Sequence, residues 1–300
     1  MSDAAEDWTA EPAVAVVEPS GPRTPLVVCS PHSGRAYPDA FVAATRLDPQ
    51  SLRRSEDSFV DELFGDAPAC GAAFLTALFP RAYVDVNREA MELDPAMFAD
   101  PLPRGANTTS PRVAAGLGAV PRVVAQGEPI YDHKIAFADA RSRIETCWRP
   151  YHAALRQLID AARDDFGVCV VLDAHSMPSA AGARRLPDAV LGDRHGRSCA
   201  GVITDATEAA FTAAGWRAAR NTPYAGGYVT TAYGEPSAGV HVLQVEINRG
   251  RYMDEPALRK TAGFSHVQAV ATSVIDAAAR ASVALAERTK KRGRARAARV

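Results

Sequence analysis

Val168-Cys-Val-Val-Leu-Asp173 is an unbroken apolar run that ends in Ala-His-Ser-Met-Pro178. A strand apolar on both faces must be covered on both faces, which in a folded chain means a parallel or mixed sheet between helices. Pro25-Leu-Val-Val-Cys-Ser30 is a second short apolar run, stopped by Pro31 and Gly34. Ala82-Tyr-Val-Asp-Val-Asn87 and His241-Val-Leu-Gln-Val-Glu-Ile-Asn248 alternate, as strands do. Helices are expected over 56–66, 132–165 (with Pro150 as a break or kink), 203–214 and 255–288. In the last, Val267, Val270, Val274 and Ile275 fall at helical spacing. Strands interleaved with helices predict an α/β domain. In such sheets the chemistry gathers beyond the carboxyl ends of the strands.

The 300 residues allow one large domain or two small ones, and 47% hydrophobic against 23% charged residues suffices for a sizeable core. With 34 basic and 35 acidic side chains, the chain lacks the basic excess of a dedicated nucleic-acid binder. No uninterrupted apolar run has the length expected of a bilayer span. The N-terminus, MSDAAEDWTAEPAVAVVEP, is acidic and has no basic stretch ahead of an apolar one, so no secretory signal is expected. The five cysteines are scattered without a CxxC pair, which argues against a zinc ribbon or a disulfide framework. The expectation is a reduced, soluble, cytoplasmic protein. Residues 1–22 are expected to be a mobile segment and 23–288 a single folded domain. Residues 289–300, with KKRGRARAARV, read as a solvated basic tail rather than a nucleic-acid or lipid contact.

Two of the seven histidines stand directly after apolar strands: His32 after Leu-Val-Val-Cys-Ser-Pro, and His175 after Val-Val-Leu-Asp-Ala. Both are aimed where an α/β sheet keeps its site. Asp173 lies two residues before His175 on the same side, a natural orienter for a metal-binding imidazole. Ser55-Glu-Asp-Ser-Phe-Val-Asp-Glu-Leu reads as a helix start, so Glu56 and Asp57 are either acids favoured at a helix N-terminus or a third ligand. Gln244, Glu246 and Asn248 share one strand face: either a solvated edge or a face bearing a general base at Glu246. Arg81 and Arg88 bracket an alternating stretch, and a guanidinium suits two-point carboxylate binding, though a surface ion pair uses the same residue. Asn221-Thr-Pro-Tyr-Ala-Gly-Gly-Tyr228 is either an exposed turn or a loop whose glycines let backbone approach a ligand. The chain has no dinucleotide fingerprint, phosphate loop or nucleophile elbow.

Taken together and in order, these segments resemble the N-formylglutamate amidohydrolase family. The resemblance is carried by Ser30-Pro-His-Ser-Gly-Arg-Ala-Tyr-Pro38, Ser55–Leu63, Arg81-Ala-Tyr-Val-Asp-Val-Asn-Arg88, Pro150-Tyr-His152, Asp173-Ala-His-Ser176, Asn221–Tyr228 and Gln244-Val-Glu246. It implies a three-layer α/β/α fold with a mixed central sheet of about eight strands, like the zinc carboxypeptidases. It also implies cleavage of an N-acyl amino acid, such as N-formyl-L-glutamate, into a small acid and a free amino acid. By the same resemblance, His32, Asp57 and His175 are the ligands of a zinc ion, with manganese or cobalt as substitutes. Glu56 is the near competitor of Asp57. The position three residues after the first histidine, where carboxypeptidases carry their ligand carboxylate, is Arg35 here. Glu246 is implied as the catalytic base. Arg88 with Asn87 is implied to hold the substrate carboxylate, and Arg81 and the Tyr224, Gly226 and Gly227 loop line the substrate. Asp173 and Ser176 are implied to support the ligands. Asn248-Arg249 and the Asn-x-Pro-Tyr lead suggest a sister branch, in which amide hydrolysis is better supported than the particular amino acid. The partner is then a small molecule, with neither nucleic acid nor membrane. Two alternatives stand beside this: a metallohydrolase acting on another peptide or cell-wall amide, and a non-catalytic α/β binding module.

Overall fold

The computed structural model describes residues 12–124, 127–182 and 184–297. The chain divides into two compact units. One comprises residues 1–15, 31–58 and 76–153, and the other 16–30, 59–75 and 154–300.

A seven-stranded sheet holds β1 (Val14–Val17), β2 (Leu26–Ser30), β3 (Ala73–Ala77), β4 (Cys169–Met177), β7 (Ala189–Gly192), β8 (Ala218–Arg220) and β9 (Val240–Asn248). Its order is β1-β3-β2-β4-β9-β7-β8. Strands β2, β4 and β9 run parallel and β7 lies antiparallel to β9, so the sheet is mixed, as expected. Two-residue strands form separate small hairpins, β5 (Ala180–Ala181) with β6 (Arg184–Arg185) and β10 (Met253–Asp254) with β11 (Arg259–Lys260). In the second unit, every residue of β2, β4, β7 and β9 is buried. Alternation sorts them into two faces. Leu26, Val28, Val170, Leu172, Ala174, Leu243, Val245 and Ile247 join one hydrophobic core with Val267, Val270, Ala271, Val274 and Ile275 of α9 (Phe264–Ala297). The opposite face carries Cys29, Asp173 and Gln244 in register across three strands, followed by His175 in register with Glu246. That unit also holds α3 (Val60–Leu63), α7 (Gly201–Ala213) and α8 (Tyr228–Tyr233).

The first unit has its own core of Phe41, Leu52, Leu93, Met97, Phe98, Val120, Ile130, Tyr131 and Ile135. It includes α1 (Asp39–Ala44), α2 (Pro49–Arg53), α4 (Pro111–Ala114) and α5 (Phe137–Arg143). A π-helical turn at Ile144–Trp148 joins α5 to α6 (Arg149–Phe166), so the helix expected over 132–165 continues past Pro150. The wide turn just ahead of Pro150 falls where a proline, with no N–H, would break a regular ladder.

Several expectations need correction. Ala82–Asn87 is not a strand. The Tyr83 and Val84 amides bond back to the Pro80 carbonyl, and the Asp85 side chain accepts from the Asn87 amide, so local turn bonds replace a ladder. No helix begins at Ser55: Phe59 takes a left-handed backbone (φ 68°) and the helix is only Val60–Leu63. Glu56 and Asp57 are therefore not acids of a helical first turn. Strand β9 is flanked by β4 and β7 and is not an edge, so its polar face is not solvated. Within the segment expected to be mobile, residues 14–17 form β1, and residues 1–11 lie outside the described residues. Helix α9 starts after the β10–β11 hairpin and runs through the expected tail to Ala297, since Ala, Lys and Arg are good helix formers. Its stretch Phe264–Lys291, though interrupted by Asp276 and Arg280, is long and apolar enough by length and composition to cross a membrane, and half of its most apolar window is buried in the fold.

Candidate active site

Strand β2 ends at Ser30, and Pro31 turns the chain so that His32 follows directly. Gly34 lets this loop lie on the 77–79 backbone, because a Cβ there would stand 2.2 Å from the Phe79 carbonyl oxygen. The Asp57 amide bonds to the His32 carbonyl at 3.0 Å, bringing the two side chains together. His32 Nδ1 lies 3.4 Å from Asp57 Oδ2, and its Nε2 lies 2.7 Å from Asp85 Oδ1. An ionised carboxylate only accepts, so His32 Nε2–H donates to Asp85 Oδ1.

Asp85 holds this corner together. Its Oδ1 also accepts from the Asn87 amide at 2.8 Å, and its Oδ2 accepts from Arg81 Nη2 at 2.8 Å and lies 3.8 Å from Arg88 Nε. Burial alone would raise its pKa, but His32, Arg88 and Arg81 more than reverse that and hold the carboxyl well below the usual range. Arg81 Nη1 lies 3.7 Å from Asp57 Oδ1. Burial lowers the Arg88 pKa, with Asp85 opposing. The Arg88 guanidinium donates to the Leu117 and Asn87 carbonyls at 3.1 and 2.8 Å. Glu56 is engaged elsewhere, accepting from Tyr37 at 2.7 Å, Arg53 Nε at 3.0 Å and Ser58 at 3.0 Å.

On β4, His175 Nε2 lies 3.0 Å from Asp173 Oδ2, and the Cys29 thiol reaches Asp173 Oδ1 at 3.5 Å. His175 thus repeats the His32 arrangement, with a carboxylate at Nε2. On β9, Glu246 is 7% exposed and its Oε1 accepts from Gln244 Nε2 at 2.8 Å. Ser176 accepts from Arg249 Nε at 3.0 Å and holds that guanidinium rather than a histidine. Asn221 shapes a turn, its Oδ1 accepting from the Asp193 and His195 amides. Tyr224 packs on Met177, Leu186 and Val190, while Gly227 caps α8. Gly226 has φ 133°, and a Cβ there would stand 2.3 Å from Thr230 Oγ1.

One nitrogen or oxygen each from His32, Asp57 and His175 lie within 4.8 Å of one another, and all three residues are buried. Two imidazoles and a carboxylate are the donor set of a catalytic zinc site, and both rings are backed by carboxylates in the manner of metal ligands.

Residues 24–253 match the family model described as N-formylglutamate amidohydrolase. The chain belongs to that family. A Pseudomonas putida N-formylglutamate deformylase is 31% identical over 239 residues, covering 78% of this chain and 83% of that protein. A Pseudomonas aeruginosa N-formylglutamate deformylase is 31% identical over 241 residues, 78% and 84% of the two chains. The N-formylglutamate amidohydrolase of Ralstonia eutropha JMP134 superposes with a TM-score of 0.83 at 34% identity, covering 93% of this chain and 99% of that one.

Asp85, Cys29 and Gln244 were given no role by the sequence. For Asp85 a signal was present: an acid between Val84 and Val86 has to be paired if it is buried, the argument already applied to Glu246.

Proposed function

We propose that this member of the family is a metal-dependent amidohydrolase. Its substrate is an N-acyl amino acid of the N-formyl-L-glutamate class, and its products are formate and the free amino acid. The observation that carries this reading is the buried His32–Asp57–His175 cluster, with ligand atoms within 4.8 Å of one another. The Asp85 and Asp173 carboxylates at the two Nε2 atoms fit the same role. His32, Asp57 and His175 hold the ion, and the nitrogen and oxygen donors suit zinc, with manganese or cobalt as substitutes. When bound, zinc supplies Lewis acidity and makes hydroxide available near pH 7.

The remaining chemistry falls to side chains. Glu246 takes a proton from the attacking water and delivers it to the departing amine nitrogen. Burial keeps its carboxylate from being levelled by bulk water. Arg88, with Asn87 beside it, binds the substrate α-carboxylate, so contacts away from the scissile amide orient it for attack. Its Nη2 makes no hydrogen bond among the described residues and is the edge offered to that carboxylate. Arg81 supports Asp57 and Asp85, and the Tyr224, Gly226 and Gly227 turn borders the substrate. The enzyme works in the cytoplasm on a free small molecule.

The test is elemental analysis of the purified protein with an assay of formate release from N-formyl-L-glutamate. One divalent ion per chain, lost in His175→Ala and kept in Glu56→Gln, together with chelator-sensitive formate release, is expected. A wild-type protein that binds no divalent ion and releases no formate would point back to a binding module. Hydrolysis of peptides but not of N-formyl amino acids would point to the peptide-amide alternative.

A further inference from the structure

The polar face of the central sheet has two tiers. The upper tier is His175 on β4 and Glu246 on β9, which are register partners. The lower tier, two residues back on each strand, is Asp173 and Gln244, also partners, with Cys29 next to Asp173 on β2. Each upper residue is held by the one beneath it: Asp173 at 3.0 Å from His175 Nε2, and Gln244 Nε2 donating to Glu246 Oε1 at 2.8 Å.

Gln244 is 5% exposed, and among the described residues its side chain bonds to Glu246 alone. Its carbonyl oxygen, Oε1, is buried with no partner among the described residues. An orphaned buried carbonyl costs stability, so a residue kept for packing alone would be apolar here, like Val242 and Val245 on the same strand. The register partner of Gln244 on β7 is Gly192, where a Cβ would stand 2.9 Å from the Ala225 carbonyl carbon, so backbone closes over this tier. The amide therefore sits in a confined, low-dielectric place beside the carboxylate.

We infer that Gln244 is a positioning residue that fixes the orientation of the Glu246 carboxylate. This rests on the reading of Glu246 as the proton-transfer group. A carboxylate only accepts, and the buried Gln244 Nε2–H meets Glu246 Oε1 from the tier beneath. An aspartate or glutamate beneath Glu246 would repel the carboxylate, and an aliphatic residue would remove this contact.

The experiment has two arms. Gln244→Met keeps the length and removes both hydrogen-bonding groups. Turnover on N-formyl-L-glutamate should fall by about ten- to a hundredfold, the scale of one hydrogen bond to a charged group. KM, bound zinc per chain and melting temperature should stay at wild-type values. Turnover within twofold of wild type overturns the inference. So does a loss of turnover matched by a loss of zinc or of melting temperature, because Gln244 would then be only a structural residue. The second arm does not need activity. The chain has five glutamines, so glutamine-selective ¹⁵N labelling gives five side-chain amide pairs, and Gln244→Met assigns the one that matters. That pair should lie downfield in the wild type and move upfield in Glu246→Ala, which keeps five glutamines and removes the acceptor; an unmoved pair overturns the inference whether or not the protein hydrolyses the substrate. Wild-type protein with the shifted pair but no formate release would instead count against the proposed function alone.

Discussion

Replacing Asp85 by Asn should destabilise the protein far more than loss of an ordinary ion pair. The carboxylate is 3% exposed and faces His32 Nε2 at 2.7 Å, Arg81 Nη2 at 2.8 Å, the Asn87 amide at 2.8 Å and Arg88 Nε at 3.8 Å. Removing one member of a buried charged group leaves the others without a counter-charge, at a cost of about 3 to 5 kcal/mol. The Asn side chain still offers one acceptor oxygen, which puts Asp85→Asn towards the lower end. Urea unfolding of metal-stripped protein at pH 7 measures this without contribution from a bound ion. The pH dependence carries a sign. The folded-state pKa of Asp85 is depressed, so its contribution is complete above the unfolded value of about 3.9 and is lost as pH falls through the folded value. The wild-type advantage over Asp85→Asn should therefore stay flat from neutrality down to about pH 4 and shrink only below it. A loss under about 1 kcal/mol, the scale of an exposed pair, would refute the hub. So would an advantage that fades between about pH 5 and pH 7, where a depressed carboxyl does not titrate.

Glu246→Gln should retain metal and fold while turnover falls by about 10² to 10⁴, and undiminished formate release would send the search for a base elsewhere. Arg88→Ala should cost about 2 to 5 kcal/mol in kcat/KM on the free acid but little on the matching carboxamide, with Arg88→Lys recovering part. Equal losses on acid and amide in that double-mutant cycle would assign Arg88 to the fold, through its bonds to the Leu117 and Asn87 carbonyls. Gly226→Ala should lower the melting temperature, because φ 133° and a Cβ 2.3 Å from Thr230 Oγ1 leave no unstrained position for the methyl group; an unchanged melting temperature would show that the turn yields easily.

Residues read as strand ends were the most legible part of the chain. Apolar runs on both sides of a strand leave no doubt about burial, and they located β2 and β4, with His32 just after the first; His175, expected after the second, lies within it, because β4 runs on to Met177. Strand β9 was found by alternation, but alternation alone cannot separate an edge strand with a wet face from a central strand with a buried polar face; that depends on which strands pair with it. Ala82–Asn87 misled for a related reason. Val84 and Val86 are both buried on a turn, and a two-residue period cannot distinguish a strand from a segment whose polar side chains bond their own backbone. That no helix begins at Ser55 goes with the left-handed backbone of Phe59, which nothing in a phenylalanine announces. Gln244 and Asp85 were in plain view, and what was missing was a partner to give them a task.

The position of β9 in the sheet bears on the order in which the chain can assemble as it is synthesised. It pairs with β4 on one side and β7 on the other, yet both of those precede it in the chain. Until residues 240–248 emerge from the ribosome, β4 and β7 each have an open edge where β9 will lie. The cover of the apolar face, α9, is made later still. A nascent chain therefore carries the apolar row of β4 without its last neighbour until β9 is made, and the apolar rows of β2 and β4 without their helical layer until α9 is made. Open strand edges and uncovered apolar surface are what neighbouring nascent chains and chaperones bind. The same insertion of a late strand that brings Glu246 beside His175 makes the centre of the sheet one of the last parts of the molecule to close.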